Sequence, residues 1–248
     1  LGLALLLRPW VSAAATGELT TAAQVRELSE SEAREGRPVR LRGVVTFFDE
    51  AVFGRFIQDE TAGIYLREST NAPLLAPGQV LEVEGVTGPG EYAPVVVPTR
   101  FRIVGEAPLP PARPVTYQEL ASGQEDSQFV EIRGIVREAW FEEDTGYHVV
   151  KLATGGGRLT VLVKEIPVVT PEALVDSQVR ARGVCATIFN RQRQLFNIRL
   201  MVPRAADLVV ETPAPADPYA VPARSIRSLL QFTPRGSYGR RVKVVGTV

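Results

Sequence analysis

The chain has 248 residues, 45% of them apolar and 23% charged, a balance that suits one large folded domain or two to three small ones and excludes a disordered tail. Lysine plus arginine and aspartate plus glutamate number 28 each, so no net field draws the molecule toward nucleic acid or an anionic membrane. One cysteine, Cys185, and one histidine, His148, exclude an intrachain disulfide and any CxxC or HxxxH zinc spacing, so neither a metal nor a cofactor is expected.

The chain begins Leu1-Gly-Leu-Ala-Leu-Leu-Leu7, then Arg8-Pro9-Trp10, then Val11-Ser-Ala-Ala-Ala15. A short apolar run ending in small residues reads as the remnant of a secretory signal peptide over residues 1–18, cleaved near Ala14 or Ala15. The run is too short to span a bilayer. The mature chain is therefore expected outside the cytoplasm, in the periplasm or at the cell surface.

One strand pattern then returns five times, an alternating apolar run with a glycine inside it. It stands at Val39–Gly43, Leu81–Gly85, Val130–Gly134, Val179–Gly183 and Val242–Gly246. Alternation with charges between the apolar positions predicts one buried and one wet face. A glycine inside such a strand predicts a bulge or a sharp bend at a barrel corner. Glycines 43 and 85 lie 42 residues apart, and 134 and 183 lie 49 apart, so the motif occurs twice per unit and a third unit opens near the end.

Between the paired motifs each unit carries a hairpin. In the first it is Phe53–Gln58, a turn at Asp59–Gly63 and Ile64–Leu66; in the second it is Tyr147–Leu152, a turn at Ala153–Gly157 and Leu159–Val163. A proline-marked connection, residues 71–78 or 164–177, leads to the second glycine strand, and a last strand follows at Val95–Val104 or Gln194–Val202. Short amphipathic segments, Ala23–Leu28, Tyr117–Ala121 and Ile226–Leu230, precede the first strand of each unit and predict helices at the barrel ends. The order of strand, hairpin, connection and two strands predicts an all-β chain of tandem five-stranded barrels of the OB plan, two complete and a third truncated. An immunoglobulin-like sandwich is the alternative, but it wants about seven strands and gives no reason for paired glycine strands. The expected boundaries are 19–112, 113–221 and 222–248. Proline-rich runs at 105–114 and 211–218 predict semi-rigid spacers that hold the units apart.

Chemistry is sparse. His148 lies inside a strand pattern with no Gly-x-Ser-x-Gly in the chain, so no catalytic residue is proposed. Asp49-Glu50 and Glu142-Glu143-Asp144 fall in turns and read as loop solvation. Gly155–Gly157 has no following Gly-Lys-Ser/Thr and reads as a hairpin turn rather than a phosphate cradle. Arg180, Arg182, Arg191, Arg193 and Arg199 form the one basic concentration. Residues 39–104 carry six basic and eight acidic residues, a net of −2, which disfavours nucleic acid as a partner. The expected binding surface is the outer face of strands 1 to 3 with the 1–2 and 4–5 turns. Its candidate residues are Phe48, Arg55, Tyr65, Trp140, Tyr147, Arg191 and Arg193.

The segments Leu19–Ser29, Pro38–Thr46 and Phe56–Tyr65 resemble the N-terminal, extracytoplasmic OB-like repeat region of bacterial membrane-bound sensor histidine kinases. The resemblance runs from about residue 19 to the end and is strongest in the first unit. It implies a non-catalytic sensory or binding module of a two-component system, anchored to the membrane through other parts of the protein, with a small-molecule, glycan or protein ligand. The chain itself contains no phosphoacceptor motif and no nucleotide-binding glycine box. The alternatives are an accessory module of a secreted nuclease or hydrolase, and a nucleic-acid-binding tandem OB protein.

Overall fold

The computed structural model describes residues 17–70, 72–217, 219–229, 231 and 241–245. The signal-peptide remnant lies almost wholly outside them, as does Gly246–Val248. The described chain is all-β, with a few short helices.

The first sheet follows two helices, α1 (Ala22–Arg26) and α2 (Glu30–Arg34). Thr21 and Ser29 cap them, each in a reciprocal capping box with the residue three further on. The strands are β1 (Pro38–Asp49), β2 (Gly54–Gln58), β3 (Gly63–Tyr65), β4 (Gln79–Gly88) and β5 (Val95–Glu106), paired in the order β3-β2-β1-β4-β5. A parallel bridge from Leu66 to Val96 joins the two ends of that order. Val39, Leu41, Val45, Ile57, Ile64, Leu81, Val83 and Val96 fill the interior, and Val25 of α1 packs against them.

The second sheet repeats the plan. Strand β6 (Arg113–Pro114) and helix α3 (Tyr117–Ala121) precede β7 (Phe129–Glu142), β8 (Tyr147–Thr154), β9 (Gly157–Val163), β10 (Gln178–Phe189), β11 (Leu195–Val202) and β12 (Leu208–Thr212). Pairings run β7–β8–β9–β11–β10, and β10 pairs again with β7, so the circuit closes. Val130, Val136, Val150, Leu152, Val161, Leu200 and their neighbours fill this interior. The turn at residues 155–156 joins β8 to β9, as a hairpin should.

The recurring glycines have a common cause. A Cβ on Gly43 would lie 2.8 Å from the Gln58 carbonyl oxygen, and one on Gly134 would lie 2.9 Å from that of Ala153. Gly85 and Gly183 likewise face the carbonyls of Val97 and Met201. Immediately after Gly43 and Gly134 the first strand of each sheet changes partner. β1 pairs β4 up to Val44 and β2 beyond it, while β7 pairs β10 up to Ile135 and β8 beyond it. A strand bent between two partners brings backbones too close for a side chain at the corner. The bulges follow three residues later, between Val45 and Phe47 and between Val136 and Glu138.

The opening of each unit recurs as well. Leu19 bridges Val39 in parallel before a Thr-capped helix, and Arg113 pairs Val130 in parallel before another. Ala223–Arg224 (β13) pairs Lys243–Val244 (β14) in parallel around a Ser225-capped 3-10 turn at Ile226–Ser228. Ile226, Val242 and Val244 are exposed.

The spacer expectation fails between the first two sheets. Phe47, Val52 and Phe56 of the first form one buried cluster with Phe129, Tyr147, Val149, Leu162, Val184, Ala186 and Met201 of the second. Leu109 and Ala112, from the proline-rich stretch itself, pack onto that cluster. The apolar outer faces of the two sheets are worth more buried against each other than wet, at about 25 cal/mol per Å² of apolar surface.

Candidate binding surface

The candidate residues divide by which side of this junction they occupy. In unbroken alternation, Phe48 would share the outer face of β1. The bulge inserts one residue, reverses the phase, and turns Phe47 outward instead. Phe47 enters the junction, while Phe48 is half-buried against the first core.

Tyr147 and Arg55 are buried, 2% and 4% exposed, and offer no open face. The Tyr147 hydroxyl donates to Asp49 Oδ2 at 2.9 Å, and its ring lies 6.3 Å from that of Phe47. Burial and the Asp49 carboxylate push its phenol well above the ordinary range. Lys164 Nζ also donates to Asp49 Oδ2, at 2.8 Å, and sits 5.6 Å from the centre of the Tyr147 ring. Burial pushes the Asp49 carboxyl up, but Lys164, the Ala51 N–H and Tyr147 outweigh it and hold the pKa below the ordinary value. The Asp49-Glu50 turn is thus a junction element rather than loop solvation. Its second carboxylate pairs with Arg55, whose Nη1 donates to the Tyr65 hydroxyl at 2.7 Å. Hydrogen bonding to Glu50 raises the Arg55 pKa further. Tyr65 is half-buried, edge-on to Phe56 at 5.2 Å.

The 4–5 turns meet rather than splay. Arg193, in the turn between β10 and β11, donates to the Pro89 carbonyl at 2.9 Å and pairs with Glu30 of α2 at 2.7 Å. It adopts φ 64°, in the left-handed region. Arg191 remains exposed two residues earlier. Backbone and side chain also interlock at β3. The Gly63 N–H donates to Gln128 Oε1 at 3.0 Å, and the Phe129 N–H donates to Gln58 Oε1 at 2.9 Å. Asp126 joins α1 to β10, accepting from the Thr187 hydroxyl at 2.7 Å and pairing with Arg26 at 3.6 Å.

Exposed apolar side chains lie on both sheets, Phe53 and Ile103 on the first and Trp140, Phe141 and Phe196 on the second. Trp140 is 37% exposed, with Lys151 Nζ 5.8 Å from its ring centre. Arg199 is half-buried and donates to the Val52 carbonyl at 2.7 Å, while its Nε has no hydrogen-bond partner. Burial pushes its pKa down and the nearby Tyr65 offsets this in part. Arg180 and Arg182 both pair with Glu131, at 3.2 and 2.8 Å. His148 Nδ1 lies 3.2 Å from the Lys164 carbonyl and its ring 5.0 Å from that of Phe141. Among the described residues no group of three or more His, Cys, Asp or Glu side chains is placed to hold a metal ion, and no helix is long and apolar enough to cross a membrane.

The arrangement defines an all-β protein in which two sheets bury facing surfaces against each other. No family model matches the chain, and no curated protein matches it. Among solved structures it is similar to a protein described as an aspartyl-tRNA synthetase from Leishmania major Friedlin, at 14% identity and TM-score 0.33, covering 48% of this chain and 24% of that one. It is also similar to the tetrameric p202 HIN2, at 10% identity and TM-score 0.31 over 66% of this chain and 88% of that one. A murine DNA binding protein bound with double-stranded DNA is similar at 14% identity and TM-score 0.30, over 71% and 99%.

Proposed function

We propose that the chain is a non-catalytic extracytoplasmic binding module, built of OB-like barrels at 19–112 and 113–221 with a third opening at 222–248, and that it serves as the input region of a membrane-bound sensor histidine kinase. The observation that supports it best is the pairing order. With strands numbered from the first glycine strand of each unit, the closed circuit of the second sheet runs 1-2-3-5-4-1. The first sheet has the same order with a single bridge at the 3–5 seam. That order supports the OB plan, a scaffold on which binding surfaces are carried. The resemblance of Leu19–Ser29, Pro38–Thr46 and Phe56–Tyr65 to sensor-kinase repeat regions supplies the receptor context.

Reading the coding sequence past the codon for Val248 tests this directly. A membrane-spanning helix followed by an ATP-dependent kinase domain is expected. A secreted hydrolase or nuclease domain with no membrane helix would replace the proposal with the accessory-module alternative.

A further inference from the structure

The glycine strands pair with one another by a fixed rule. In the first sheet Val39 opposes Gly85 and Gly43 opposes Leu81, so β1 and β4 meet antiparallel about Leu41 and Val83. In the second Val130 opposes Gly183 and Gly134 opposes Val179, about Ile132 and Ala181. In both, the first residue of one motif faces the glycine of the other. The opposite edge of the first strand is taken by the parallel bridge that opens the unit, Leu19 to Val39 and Arg113 to Val130. Each first strand thus lies between an opening bridge and a second glycine strand.

The fifth motif, Val242-Lys-Val-Val-Gly246, has only half of this arrangement. β14 has β13 in parallel on one edge, and among the described residues no strand pairs with its other edge. Its apolar side chains are uncovered to match. Val39, Leu41, Val130 and Ile132 are buried, and Val25 and Leu120 of the preceding helices pack in the same cores. Their counterparts Val242, Val244 and Ile226 are all exposed. Arg241 pairs with Asp176 at 2.5 Å and holds the start of the strand against the second unit. A two-stranded pair this short is marginal by itself, whereas three or more strands that share an apolar face are stable.

The partner that fits is the motif itself. A rule that sets first residue against glycine is self-complementary, so two identical motifs satisfy each other across a two-fold axis. That register puts Val244 opposite the partner's Val244 and Lys243 opposite the partner's Val245. Slipping two residues toward the chain start would set lysine against lysine, which like-charge repulsion disfavours. The product is a four-stranded sheet, β13 and β14 of one copy followed by β14 and β13 of the other, with Val242 and Val244 of both on one face. We propose that β14 is a self-association strand, through which two copies of the chain pair antiparallel about Val244 and complete between them what the third unit opens. The proposal goes beyond the binding-module reading and does not depend on it.

The test is oxidative crosslinking of the full chain carrying one added cysteine, with sedimentation velocity alongside. Cys185 is buried and does not compete. Val244→Cys would face its own copy across the axis, where opposed Cβ atoms lie about 4.5–5.5 Å apart, and should give a disulfide-linked dimer. Lys243→Cys, and Val169→Cys at an exposed position on the second unit, should link about tenfold more slowly or less. The wild type should sediment as a dimer that dissociates on dilution. Val244→Lys, with two lysines opposed on the axis, should be monomeric at an unchanged thermal midpoint. A wild-type chain that stays monomeric up to about 0.5 mM overturns the proposal, as does Val244→Cys linking no faster than Val169→Cys. A dimer untouched by Val244→Lys overturns it in favour of another interface. Loss of the Val244→Cys crosslink in a chain extended by the codons past Val248 overturns it in favour of an intrachain strand. A dimer paired through Val244 from a gene that encodes no kinase would leave the strand standing and refute only the receptor reading.

Discussion

Alanine at Gly63 should pry the two sheets apart from one side. The new methyl carbon would stand 2.8 Å from the Ser127 carbonyl carbon and 3.3 Å from Gln128 Cα. Both are backbone atoms, so no rotamer change relieves the clash. Restoring ordinary carbon–carbon separations requires a shift of about 1 Å. That shift strains the Gly63 and Phe129 N–H bonds across the junction, at 3.0 and 2.9 Å. Two such bonds are worth about 0.5–1.5 kcal/mol each, and overpacking a buried site costs about 1–3 kcal/mol. The expected loss is therefore about 2–6 kcal/mol. Urea unfolding followed by both far-ultraviolet circular dichroism and tryptophan fluorescence measures it. Gly155→Ala is the control, because a Cβ there meets nothing within 4 Å. Gly63→Ala should unfold at lower urea, with the two signals no longer coincident. Equal midpoints for the two variants would refute the claim that the junction is tightly packed.

Other positions give independent checks. Tyr147→Phe removes a hydrogen bond to a charged group and should cost about 1.5–3 kcal/mol in the same urea assay, with little change in secondary structure. The pKa of Asp49 is lowered in the folded state, so its contribution is fully present above the ordinary carboxyl value of 3.8 and is lost as pH falls through the folded value. Acid titration of stability should show this loss below about pH 4, and Asp49→Asn should flatten that limb. Gly43→Ala, with its methyl 2.8 Å from the Gln58 carbonyl oxygen, should destabilise the first sheet by about 1–3 kcal/mol by thermal melting.

The sheets were legible because their signals are local. The glycine corners announce themselves by recurrence, and the physical demand behind them, two backbones in close approach, admits no other residue. The capped segments at Ala22–Arg26 and Tyr117–Ala121 fall within a residue or two of where amphipathicity puts them. The junction was not legible. Val44-Val45-Thr46-Phe47-Phe48 carries apolar residues for both faces, and only the bulge, which depends on pairing with β2, decides which phenylalanine faces outward. The same difficulty hid Asp49. An acidic turn looks solvated until Tyr147 and Lys164, about a hundred residues further on, are brought against it. β12 and α2 were missed for a simpler reason. β12 continues the edge of β10 after a 3-10 turn at Ala205–Asp207, and α2 is a single capped turn.

The stretch at residues 107–112 acts as a strap rather than a spacer. Its two sheets meet as an intramolecular association, in which a short tether sets a local concentration on the order of millimolar. A junction that would be weak between free partners is then almost always closed. Severing the chain at Pro110 would turn that first-order closure into a second-order equilibrium, and the halves would part on dilution unless their own affinity were far tighter than the tether requires. Only a few apolar side chains, Leu109 and Ala112 among them, need hold the strap against the cluster for this to work.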